Sequence, residues 1–144
     1  IDNIPQEVID LINFLHTPEL IAEYQNKDNP DLAQVKTNKL KLIAQQRYAH
    51  ETSGLAYNNH IIRTDRASVQ TLDSYINKLN SGKITSIEWK CVNSWLVIDN
   101  TNADEIELLI ITYIATAFAK EKQAENDINA LTTIDDVNNY TISW

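Results

Sequence analysis

A helix-rich α+β fold is what this sequence predicts: two β-hairpins forming a small antiparallel sheet, covered by a long C-terminal helix and preceded by N-terminal helices. Three observations point there. Apolar residues recur at spacings of three and four over most of the chain. Two short segments switch instead to strict alternation. Only two glycines and three prolines occur in 144 residues, a composition that favours long helices over many tight turns. A chain of this length can bury a core without disulfides or metal.

The first helix is expected from Pro5 to Leu15, with Asn3 as its cap and Val8, Ile9, Leu11, Ile12 and Leu15 as apolar positions. Thr17-Pro18-Glu19 restarts a helix that runs to about Tyr24, because a capping threonine followed by proline suits a helix start. A loop spans residues 26–30, and Asn29-Pro30-Asp31 repeats the start signal. The next helix, Asp31 to about Glu51, carries Leu32, Val35, Leu42, Ile43 and Ala49 on a narrow stripe broken by Lys39 and Gln46. So narrow a stripe suits a peripheral helix or a coiled-coil-like contact with another chain. Gly54 stands where the chain leaving a helix needs a positive φ.

Leu55-Ala56-Tyr57 and His60-Ile61-Ile62-Arg63 flank Asn58-Asn59, a pair that tolerates the positive φ of a tight hairpin turn. Thr64 or Asp65 then caps a helix with Val69, Leu72, Tyr75, Ile76 and Leu79 on one face, ending at Ser81-Gly82. The second hairpin pairs residues 84–90 with 94–98 around a turn at Cys91 to Asn93, sending Ile87 and Trp89 to one face and Glu88 and Lys90 to the other. Thr101 or Asn102 caps the long helix, with Glu105 placed to complete a capping box. Ile106, Leu109, Ile110, Tyr113, Ile114, Ala117 and Phe118 form its apolar face, flanked by Leu108 and Ile111. Trp89, Trp95 and this helix are expected to make the core. Ile128 and Leu131 are its last apolar anchors, and Thr133-Ile134-Asp135-Asp136 starts a further helix.

The net charge of −8 argues against nucleic acid, which needs clustered lysine and arginine to displace counterions. Lys36, Lys39, Lys41 and Arg47 come nearest to a basic stripe and read as a solvated face. No apolar run reaches the length of a membrane span, so no membrane insertion is expected. The lone Cys91 rules out a disulfide framework within the chain and reads as a small buried residue. The absence of methionine suggests a piece of a longer protein.

Chemistry-bearing patterns are sparse. His50-Glu51 opens like a zinc-protease helix, but Gly54 occupies the place of the second histidine. His50 and His60 could meet across the turn, yet no third ligand has motif spacing, and no metal or cofactor is expected. Gly-x-Ser-x-Gly and glycine-rich phosphate loops are both missing. The acids Asp135-Asp136 and Glu105/Glu107 sit at helix starts, where the helix dipole favours them. That leaves Arg63-Thr64-Asp65-Arg66, with Arg47 and Glu51 close in sequence. It is either a hydrogen-bonded corner fixing hairpin to helix or a ligand-binding arginine pair, Arg63 and Arg66. The candidate binding residues are thus Arg63, Arg66, His50 and His60, and no catalytic residue is assigned.

Five segments carry a family resemblance: residues 48–55 with Glu51 and Gly54; residues 62–70 with Thr64-Asp65-Arg66 and Gln70; residues 87–90 with Trp89-Lys90; Trp95 to Asp99; and Phe118 to Glu121. Together they resemble an uncharacterised domain of tailed bacteriophages and prophages, domain of unknown function 4376, over about residues 46–144. Ser53 departs from a frequent second glycine, and Asn93-Ser94 from an Asn-Gly turn. The resemblance implies a domain at 46–144 preceded by a helical lead-in, oligomerisation or linker segment at 1–45. It also implies a non-enzymatic module of a tail-fibre protein or of a factor that helps fibres assemble, in the virion tail or in the host cytoplasm during assembly. Its partners would be tail or tail-fibre proteins, with self-association as a further option. A receptor- or small-ligand-binding domain using the exposed sheet face and Arg63/Arg66 is the rival expectation.

Overall fold

The computed structural model describes residues 6–15, 18 and 30–144. In chain order the elements are α1 (Gln6–Leu15), α2 (Leu32–Glu51), β1 (Leu55–Tyr57), β2 (His60–Ile62), α3 (Arg66–Asn80), β3 (Ser86–Lys90), β4 (Trp95–Asp99), α4 (Ala103–Ala130) and α5 (Ile134–Asn139). The α+β class and the long late helix agree with the sequence pattern. The expected helix from Thr17 to Tyr24 and the loop at 26–29 lie outside the described residues, Pro18 apart.

The strands divide differently from the expectation. Instead of one sheet, β1 pairs only with β2 and β3 only with β4, both antiparallel. The two hairpins are joined where the turn of the second meets β2 and the first turn. Val92 donates its N–H to the Ile61 carbonyl at 2.9 Å, and Asn93 Oδ1 accepts the Ile61 N–H at 2.9 Å. Asn93 Nδ2 donates to the Asn59 carbonyl, and Ser94 Oγ lies 2.7 Å from His60 Nδ1. An Asn-Gly turn would lack the serine hydroxyl of that last contact.

Local signals explain most boundaries. Asp31 caps α2 by accepting the Gln34 N–H, and Thr133 caps α5 by accepting that of Asp136. Asn58 and Asn59 take φ of 44° and 67°, the turn that lets β1 and β2 pair in tight register. Gly82, at φ 71°, closes α3 with its N–H on the Leu79 carbonyl. The capping box at α4 does not form. Asn102 instead accepts from the Asp99 N–H and donates to the Val97 carbonyl, tying the helix to β4, while Glu105 accepts the Tyr57 hydroxyl at 2.9 Å. That hydrogen bond, with burial second, holds the Tyr57 pKa above the ordinary phenol range.

Two apolar clusters share α4. Ile106 and Ile110 meet Ile62, Leu72, Ile76 and Ile98, whereas Ala124 and Ile128 meet Val35, Ile43 and Val137. The tryptophans are not all core residues. Register pairs Trp89 with Leu96 on the inner face, but Trp95 points outward at 60% exposure, with Lys90 Nζ 4.8 Å above its ring. Cys91 is fully buried, and burial raises its thiol pKa.

Helix α2 packs along α4 and against α5 within the chain. Position 45/46, expected to separate lead-in from domain, falls inside this continuous helix. Lys36 and Lys39, read as a solvated face, reach the carbonyls of Asn129 and Asn138, both at 2.8 Å. Each satisfies an acceptor that a helix end leaves free.

Candidate functional site

Where α2 ends against α3 and α4, four charged residues converge. Arg47 Nε donates to Glu121 Oε2 at 2.7 Å, and Arg47 Nη1 lies 2.7 Å from Glu51 Oε1. Arg66 Nη2 approaches the same Glu51 oxygen at 3.7 Å, too far for a hydrogen bond. Glu51 is buried, Arg47 nearly so, and Arg66 extends into solvent with 74% of its side chain exposed. The Arg47 guanidinium also stacks 4.3 Å from the Phe118 ring centre. Burial disfavours its charge, but the hydrogen bond to Glu121 and the pairing with Glu51 outweigh that and raise its pKa further.

Thr64 and Gly54 form the next layer. Thr64 is 2% exposed, and its Oγ1 accepts the Gly54 N–H at 3.0 Å, linking the end of β2 to the exit from α2. Gly54 has φ 103°, and a Cβ there would lie 2.7 Å from Ile61 Cγ2. Backbone conformation and space both demand glycine. Asp65 caps α3, accepting from the Ser68 N–H at 2.9 Å and the Ser68 hydroxyl at 2.7 Å. Those bonds lower its pKa, the hydroxyl foremost.

A cleft of about 500 Å³ opens beside this cluster. Glu51, Thr64, Arg66 and Gln70 line one part, and Val69, Ile114 and Phe118 supply apolar wall. A second cavity, about 300 Å³, is lined by Arg63, Trp89 and Lys90 with Ala67, Ser68 and Thr71. The arginine pair is therefore divided, Arg66 facing one cavity and Arg63 the other.

The two histidines also have separate partners. His50 packs against the rings of Tyr113 and Trp144, at 4.9 and 5.7 Å, while His60 contacts Ser94. Tyr113 donates to the His50 carbonyl at 2.7 Å, and Ser53, in place of a second glycine, donates to the same carbonyl at 2.8 Å. Among the described residues no group of three or more His, Cys, Asp or Glu side chains is placed to hold a metal.

A family model described as Domain of unknown function (DUF4376) matches residues 34–142. The chain belongs to that family. No curated protein and no solved structure matches it. The DUF4376 match begins within α2, earlier than the resemblance read from the signature residues, and so takes in Val35 and Ile43 of the second apolar cluster. It also contains Arg47, which sequence reasoning noted only as part of a basic stripe and as a neighbour of the Arg63/Arg66 corner. A signal was available: Arg47 and Glu51 stand one helical turn apart, the spacing that brings side chains together on one helix face.

Proposed function

We propose that this domain is a non-enzymatic structural or assembly module associated with phage or prophage tail fibres. It belongs either to a tail-fibre protein or to a factor that helps fibres assemble, and it acts in the virion tail or in the host cytoplasm during assembly. The observation that carries the reading is an outward apolar ridge on α4. Leu108 and Ile111, one turn apart, are 65% and 57% exposed on the side of the helix away from its buried residues. Large apolar side chains clustered on a surface mark contact with another polypeptide. The acids support it too, since Arg47 pairs with Glu51 and Glu121 and Asp65 is taken up in capping α3.

Co-expression with the tail-fibre polypeptide of the same phage, followed by affinity purification and light scattering, tests the reading. A stoichiometric complex that is lost in a Leu108→Asp/Ile111→Asp variant of intact fold is expected. A monomer that recovers no tail polypeptide under these conditions rejects it.

A second reading, recognition of a receptor or small ligand through Arg63 and Arg66, rests on the exposure of both arginines beside cavities. Arg66→Ala separates the two readings. Intact folding with lost host-cell binding favours recognition, and loss of folding favours a structural corner.

A further inference from the structure

The two hairpins leave one strand edge open. Cys91 donates its N–H to the Ser94 carbonyl at 2.9 Å, which makes these residues a hydrogen-bonded pair beside the turn. Such pairs alternate along an antiparallel ladder, so Trp89/Leu96 and Ile87/Ile98 bond across the hairpin, and Ser86, Glu88 and Lys90 aim their N–H and C=O groups outward from β3. The same alternation turns Val97 and Asp99 outward on β4. There Asn102 donates to the Val97 carbonyl and accepts the Asp99 N–H. The outer edge of β2 is met as well, where Ile61 bonds to Val92 and Asn93. On β3, among the described residues, no hydrogen bond reaches the outward groups, and the cavity of about 300 Å³ lined by Trp89 and Lys90 lies beside this edge.

We propose that β3 is a self-association edge, pairing antiparallel with β3 of a second copy of this chain about a two-fold axis at Trp89. An edge strand is a template for another strand, and charged side chains commonly keep other strands off it. Here the charges also choose the partner and the register. Setting Glu88 opposite Glu88, or Lys90 opposite Lys90, opposes like charges, and setting Ser86 opposite Glu88 forms no ion pair. Setting Glu88 opposite Lys90 of the second copy forms an opposite-charge pair, which the two-fold axis repeats on its other side. Both side chains are exposed and able to reach across. In that register the outward N–H and C=O groups of Glu88 and Lys90 satisfy one another across the seam. Trp89 meets its own copy at the axis, a cross-strand aromatic pair on the inner face.

So short a seam buries less surface than a standard interface, and the dimer is expected to be weak and reversible. It uses neither the α4 ridge nor a tail polypeptide, so it stands or falls separately from the function proposed above. Sedimentation velocity at low salt, from about 10 μM to about 1 mM, should show a monomer–dimer equilibrium. Over the same range the amides of Glu88 and Lys90, which face solvent in the monomer, should gain protection from hydrogen exchange, read by ¹H–¹⁵N NMR.

Charge reversal tests the register. Glu88→Lys and Lys90→Glu each set like charges against one another on both sides of the axis, and each should weaken self-association by about tenfold. Mixing the two variants should restore dimers close to the parental affinity, because each chain then offers the charges that the other lacks. Both positions are exposed, so the fold should be retained in either variant. Leu108→Asp/Ile111→Asp should leave the dimer intact. The proposal is overturned if the parent stays monomeric to about 1 mM, if the single reversals dimerise like the parent, or if their mixture does not recover association. Loss of the dimer in the Leu108/Ile111 variant also overturns it, by moving self-association to α4.

Discussion

At its N-terminal end α4 sets Ile106 and Ile110 among side chains drawn from both hairpins and α3; at its C-terminal end Ala124 and Ile128 meet, among the described residues, helices and the last residues of the chain. The first cluster is rich in fully buried isoleucine and leucine, from Ile62 to Ile98. The second is slimmer, with Val35, Ile43 and Val137 at its centre and the half-buried Tyr140, Ile142 and Trp144 around it. Small Ala124 lies on the buried face of α4 beside Val35 and Ile43 of α2. Between the clusters Arg47 joins Glu51 to Glu121 and stacks on the Phe118 ring. The contrast teaches that one helix can serve two cores when a charged layer couples them.

Removing that coupling should have the largest effect. Arg47→Ala leaves Glu51 buried without its close partner and should cost about 3–5 kcal/mol in urea unfolding, the scale for breaking a buried ion pair. Native-state amide exchange should then show the two ends of α4 opening separately. Arg47→Lys should recover little, because an ammonium cannot reproduce the two-sided fork. A cost below about 1 kcal/mol would break the comparison, since exposed pairs are worth that little.

Truncation within each cluster comes next. Ile106→Ala and Ile128→Ala should each cost about 2–5 kcal/mol, with Ile106→Ala the larger because its surroundings, tied to two hairpins, can relax least. The reverse order in chemical denaturation would show the helical end to be the more rigid.

Asp65→Ala should cost about 1 kcal/mol through loss of the α3 cap. Because the folded-state pKa of Asp65 is lowered, its contribution is present above the ordinary carboxylate range and is lost as pH falls through the folded value. The gap between parent and variant should therefore close on acidification, read from melts at neutral and acid pH.

The smallest effect is expected at Glu107, where burial and then Asp73 raise the pKa. A raised carboxyl pKa opposes folding once pH exceeds the folded value and is without penalty below the ordinary range. Glu107→Gln should thus gain a few tenths of a kcal/mol at neutral pH, about the scale of an exposed charge pair, and nothing in acid. Equal gains at both pH values would point to packing instead of charge.

What was legible in the sequence was local. Asn29-Pro30-Asp31, Thr64-Asp65 and Thr133 announced helix starts because an N-cap is satisfied within one turn, and the structure gives the caps to Asp31, Asp65 and Thr133. Asn58-Asn59 announced its turn because few residues tolerate positive φ. Of the candidate site, Glu51, Thr64, Arg66 and Gln70 were named from the signature, and the cleft brings them together. Asp73, Ile114 and Phe118 were not named as binding residues, because on their own helices they read as ordinary surface or core positions.

By itself, then, the sequence determined the α+β class and the order of the elements from residue 30 onward. Each depends on periodicity, or on contacts within a few residues. Tertiary structure decided the rest. Whether two hairpins share a sheet depends on Asn93 and Ser94 meeting Ile61 and His60, residues some thirty positions apart. Whether Trp95 is core depends on which face of β4 the register turns inward. Arg47 became a link between α2 and α4 only because Glu121, 74 residues away, arrives beside it, and the pairing of distant charges leaves no period in a sequence.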